Sequence, residues 1–176
     1  MPEYVLTRNK RSRSIRISVS VGGAIRVSAP PRAPLTLIEQ TITKNVDWIH
    51  RQQKKISSKH IIHINTADIP SLKQHTKELL DTKLPHFAKL YGVVYKQVAI
   101  RDQKSRWGSC SARGNLNFNY KLALLPPQLA DYIIIHELCH LREMNHSAKF
   151  WKLVVEACPR YKEYRKELRN MIVKVV

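Results

Sequence analysis

Ile133-Ile134-Ile135-His136-Glu137-Leu138-Cys139-His140 is the stretch that decides the reading of this chain. Pro126-Pro127 ends what precedes it and sets up a helix start. Leu129, Ile133, Ile134, Ile135, Leu138 and Leu141 make the helix expected over 128–143 apolar nearly all round, and such a helix is buried. Two histidines and a glutamate inside it are costly to desolvate unless they find partners. Residues four apart share a helical face, so His136 and His140 can reach one ion while Glu137 projects close by. The spacing is H-E-x-x-H, and a metal ion is the partner that satisfies it.

A catalytic zinc site takes three protein ligands and keeps one position open. His146 is the expected third ligand. On an unbroken helix it would sit about 240° round from His140, so the helix must end between them. Asn145 tolerates the left-handed conformation that ends helices, and Ser147 is a good cap for the next helix. Glu156 and Glu163 are the rival third ligands; imidazole suits zinc and the spacer to His146 is short, which favours the histidine. Glu137 is then placed to take a proton from water on the metal. Arg106, Tyr120 and Arg142 are candidates for a second electrophile, and no substrate-binding residue can be named. Glu143 shares the face of His136 and His140, either as partner to an imidazole N–H or as a solvated charge. Cys139 reads as a small buried apolar residue.

Outward from this helix, Ile15, Ile17, Val19 and Val21 alternate with polar residues, Gly22-Gly23 supplies a turn, and Ile25 and Val27 resume the alternation. That pattern predicts a β-hairpin, with residues 3–8 as a further strand. Thr36 and Glu39 have capping-box spacing, and a helix is expected from there to about Lys55. A short strand is expected at 60–64 and a helix over 71–91, kinked or broken at Pro85. Strands are expected at 93–101 and 116–124, and a polar helix follows Pro159. The expected organisation is an N-terminal β-rich lobe with a helix, residues 1–66, and a metal-bearing domain, residues 67–176.

Of the 176 residues, 43% are hydrophobic and 25% charged, an ordinary globular composition that can build a core. No stretch approaches the ~20 apolar residues of a membrane span, and the first residues lack a secretory layout. Cys110, Cys139 and Cys158 form no C-x-x-C pair, which fits free thiols in a reducing, cytoplasmic setting. The net charge is +18, and residues 1–60 hold 12 of the 31 Lys and Arg against 3 of the 13 acids. Such a field favours anionic partners and nonspecific nucleic-acid affinity without naming either. Nothing here sets the oligomeric state.

Trp107-Gly108-Ser109-Cys110, Gly114-Asn115-Leu116-Asn117-Phe118-Asn119, Pro126, Tyr132, the run His136 to Leu141, Asn145-His146-Ser147 and Phe150-Trp151 together carry a resemblance. They resemble the YgjP-like, WLM-related metallopeptidase-domain family, which is similar to the SprT-like zinc proteases. The resemblance implies an α+β fold with a zincin-like core, a metal-bearing helix beside a small antiparallel sheet, plus an N-terminal β-hairpin and helix lobe. It implies Zn2+ on His136, His140 and His146 with Glu137 as the catalytic carboxylate. It also implies an edge strand, expected at 114–124, along which an extended peptide adds. The expected function is a zinc-dependent metallopeptidase acting on a peptide or protein. The alternatives are a nucleoside-triphosphate (UTP-type) pyrophosphatase with the same metal site, which the basic cluster Arg101, Lys104, Arg106 and Arg113 would suit, and a nucleic-acid-binding protein with structural zinc. Glu137 weighs against the last, because a closed structural site needs no spare carboxylate.

Overall fold

In the computed structural model, which describes residues 1–176, the chain is a mixed α+β protein that divides into two compact units, Met1–His60 and Ile61–Val176. In the first, β1 (Tyr4–Arg8) runs parallel to β3 (Ile25–Ala29), and β2 (Arg16–Val19) pairs with β3 antiparallel as the hairpin pattern predicts. The alternation works as expected: Ile25, Val27 and Ala29 are buried while Arg26 is exposed. Ile38 and Ile42 of α1 (Leu35–Lys44) and Ile49 of α2 (Val46–Ser57) complete that core.

Two local expectations fail here. The Thr36–Glu39 capping box does not form, because Pro34 with its fixed φ of −61° starts the helix two residues earlier and leaves Thr36 inside it. The single helix is two, divided at Asn45, whose Nδ2 donates to the Thr41 carbonyl at 2.8 Å. The basic run near the N-terminus is partly structural. Arg8 Nη1 donates to the carbonyls of Pro30, Pro31 and Ala33 at 3.1, 2.8 and 2.9 Å, tying down a segment that prolines leave poor in amide donors.

In the second unit, β4 (His60–Ile64) pairs with β8 (Met171–Val175), a strand that the sequence reading does not anticipate. A reciprocal Asn65–Asp68 capping box leads into α3 (Ile69–Leu90), which runs unbroken through Pro85; that residue lies on the solvent side, where water can take up the freed carbonyl. Leu80, Leu84 and Ala88 of α3 join the main core, and the buried Thr76 hydroxyl donates to the Tyr120 carbonyl at 2.7 Å.

The sheet beside the core is β5 (Gln97–Arg101), β6 (Gly108–Cys110) and β7 (Asn115–Asn119), in the order β5-β7-β6. It is mixed rather than antiparallel. β6 and β7 form a hairpin whose turn holds Gly114 at φ +81°, while β5 runs parallel to β7, with the intervening residues supplying the crossover. The strand expected at the edge is therefore the central one, and it ends at Asn119; residues 120–124 form a 3-10 turn instead of continuing it. β6 holds the edge. Against this sheet packs α4 (Pro127–Cys139), with nine of its residues buried, which is why its polar pattern carries weight. α5 (Ala148–Ala157) and α6 (Tyr161–Asn170) follow.

Candidate metal centre

α4 carries His136 and Glu137, and His140 caps it in a still right-handed conformation, so one face presents both imidazoles. The chain then turns. Ser147 starts α5 by accepting from the Phe150 amide, and His146 lies at the corner just before it. The corner needs no left-handed residue: Asn145 does not have positive φ, and the helix end before it closes through 3-10 type bonds from Leu141 to Leu138 and from Arg142 to Cys139.

The three imidazoles meet. One ring nitrogen of each of His136, His140 and His146 lies within 4.8 Å of the other two. His136 Nε2 and His146 Nε2 are 3.1 Å apart, close to the ~3.3 Å expected between two nitrogens bound tetrahedrally at zinc–nitrogen distances. Phe150 stacks on His140 and Trp151 on His146, so α5 supplies the wall that orients both rings. His140 Nδ1 lies 3.1 Å from the Glu143 carbonyl; donating there leaves Nε2 as the lone-pair nitrogen. The Glu143 backbone, rather than its side chain, thus does the orienting.

Burial, reinforced by His140 and His146, pulls His136 down to about 3, and burial also lowers His140. Both rings are therefore neutral near pH 7, the form a metal ligand requires. Glu137 is 5% exposed, and burial pushes it up to about 8 against the opposing pull of Arg106. Three imidazole nitrogens lie within 4.8 Å of one another, two of them 3.1 Å apart, and a divalent cation is the group such a donor set fits.

Glu137 reaches toward β6. A Cβ built on Gly108 would lie 2.7 Å from both Glu137 Cγ and Oε1. Only glycine leaves room for the carboxylate against that strand.

A cavity of about 560 Å³ opens beside His136 and Glu137. Of the candidate electrophiles, Arg106 lines it, Tyr120 is fully buried in the core, and Arg142 lines a separate cavity with Glu156. The rival ligand Glu163 is bound by Arg160 at 2.7 and 3.0 Å. Of the basic cluster, Lys104 and Arg106 line the cavity; Arg101 and Arg113 do not. Asn119, 2% exposed, donates to the carbonyls of Gln103 and Arg106 at 2.6 and 2.9 Å and so holds the loop that presents them. Tyr132 lines it too, named in the sequence reading only as part of the resemblance and without a role, as do Arg165 and Arg169, which are absent from that reading. Tyr132 has a signal, since it lies one helical turn before His136; the arginines of a polar helix have none.

No helix is long and apolar enough to cross a membrane. A search of curated proteins gives no match. Among solved structures, the metallopeptidase zymogen abylysin of Pyrococcus abyssi is 30% identical over 53% of this chain and 99% of its own, with a TM-score of 0.46. The metallopeptidase zymogen jannalysin of Methanocaldococcus jannaschii is 20% identical over 51% of this chain and 93% of its own, with a TM-score of 0.45. The model of the YgjP-like metallopeptidase domain matches residues 13–71 and 63–171. By that match, which spans most of its length, the chain belongs to the YgjP-like metallopeptidase-domain family.

Proposed function

We propose that the chain is a zinc-dependent metallopeptidase with a zincin-like core in residues 67–176. The observation that carries this is the convergence of His136, His140 and His146 to within 4.8 Å, with Glu137 buried beside them. His136, His140 and His146 would hold Zn2+, which when bound supplies Lewis acidity that polarises a scissile carbonyl and lowers the pKa of water. Glu137 accepts the proton of the attacking water at a carboxylate oxygen and delivers it to the leaving amine. Gly108 fixes the carboxylate against β6, the edge along which an extended peptide would add by backbone hydrogen bonds. Arg106 is the one anticipated electrophile that lines the cavity, where it can face developing negative charge. The three free thiols are in keeping with a cytoplasmic setting.

The test is elemental analysis of the purified protein followed by peptide-library turnover, with Glu137→Gln as control. One zinc per chain and turnover lost by at least about 10²-fold in the variant is the expected result. Absence of bound transition metal, or undiminished turnover in Glu137→Gln, refutes the proposal.

A further inference from the structure

The cavity beside Glu137 is strongly unbalanced in charge. Lys104, Arg106, Lys121, Arg165 and Arg169 contribute to its wall, and Glu137 is the sole carboxylate there. Lys121 has a long ion pair with Asp102 at 3.7 Å; the other four cations make no salt bridge. Four unpaired cations around one concavity repel each other and raise the local potential, which an anionic ligand relieves. Two of them are held in place. Arg165 lies over the Trp151 ring at 4.8 Å, and Asn119 anchors the backbone of Arg106. Arg165 and Arg169 are one turn apart on α6 and so face the cavity together.

The rest of the wall decides which anion. Trp107, Ile133, Leu168, Met171, Ile172 and Val173 give it a large apolar share. A polyphosphate is commonly held by backbone amides at a helix N-terminus or a glycine-rich loop. Here α4 and α6 meet the cavity through residues 132–137 and 165–169, the C-terminal parts of both helices, where the helix dipole opposes a dense anion. Separate guanidinium groups set among apolar side chains match single carboxylates borne on a peptide.

We propose that this cavity selects peptides with an acidic residue flanking the scissile bond, and that Arg165 and Arg169 determine that specificity. This rests on the metallopeptidase reading and names its substrate class. Each arginine forms a charge-assisted bond to the substrate carboxylate, while Leu168 and the β8 side chains pack its aliphatic part.

The experiment compares short fluorescent peptides carrying Glu, Gln or Lys at one fixed position, measuring both equilibrium binding and kcat/KM on the full zinc-supplemented chain. UTP is assayed in parallel. The expected result is a preference for Glu over Gln of about fivefold or more in both readouts, the size of one exposed charge-assisted bond. Arg165→Gln should diminish the ratio, and Arg169→Glu should turn it toward Lys, a reversal that damage to the fold would not produce. Peptides cut without regard to charge overturn this inference and leave the peptidase reading standing. Glu peptides bound preferentially but never cut overturn the peptidase reading and leave the acidic specificity. UTP bound and hydrolysed, with no peptide bound, overturns both.

Discussion

Replacing Gly108 with alanine adds one carbon in the tightest place around Glu137. That carbon would stand 2.7 Å from Glu137 Cγ and Oε1 and 2.9 Å from Cδ. Ordinary contact between such atoms begins near 3.5 Å, so the carboxylate or the strand must yield by about 0.8 Å. Glu137 is buried, so its side chain cannot retreat into solvent. A displacement of that order at a proton-transferring group costs about 10²-fold in rate. Overpacking costs about 1–3 kcal/mol in stability, which a well-folded unit tolerates. None of the three histidines is among the atoms nearest the added carbon, so their mutual geometry is kept. Gly108→Ala should therefore retain zinc stoichiometry and a single unfolding transition while kcat falls about 10²-fold. Peptide turnover, elemental analysis and thermal unfolding on the same preparation measure these. Activity within about threefold of the parent would refute the reasoning, because Glu137 would then have no need of its observed position.

Other changes separate the parts of the site. His146→Ala removes the exposed member of the proposed ligand set, so zinc affinity should fall by at least about 10-fold in a chelator competition while the metal-free protein unfolds at an unchanged temperature. Asn119→Ala strips two bonds from the carbonyls of Gln103 and Arg106, and should cost about 1–3 kcal/mol in denaturant unfolding and raise KM more than it lowers kcat. Burial raises the Cys139 and Cys110 thiols to about 11 from an ordinary value of 9.0. Stability from these neutral thiols is complete below about pH 9 and lost as pH climbs toward about 11, since the unfolded chain ionises first. Alkylation of the buried Cys139 by iodoacetamide at about pH 8 should accordingly be slow until the protein is unfolded, and fast labelling of that residue in the native chain would contradict its burial.

The helix that carries His136 and Glu137 is legible in the sequence because its information is local. Apolar periodicity from Leu129 to Leu138 announces burial, and the polar exceptions at 136, 137 and 140 need a partner. His146 follows from angular geometry, which forces a corner, although the backbone turns there without the left-handed residue expected of Asn145. What escapes is non-local. Whether residues 115–119 lie at the edge or the centre of a sheet depends on which strands flank them, and the residues themselves carry no mark of it. Met171–Val175 is too short to announce a strand without its distant partner. Arg165 and Arg169 resemble any solvated charges on a polar helix until the fold turns their face toward a cavity. Asn45 and Pro34 shift helix limits by small local choices, which is where sequence patterns are weakest.

The pairing of β4 with β8 ties together segments over a hundred residues apart, and Met171, Ile172 and Val173 beside that seam close one flank of the cavity. Closing so long a loop is slow and entropically late. On the ribosome, the hairpin unit can condense while the rest is still being made, but the cleft beside Glu137 has no finished wall until α6 and β8 have emerged. A newborn molecule thus acquires its shaped cleft only once residues 161–175 have been made, so that ordered synthesis itself delays the competence to grip a chain.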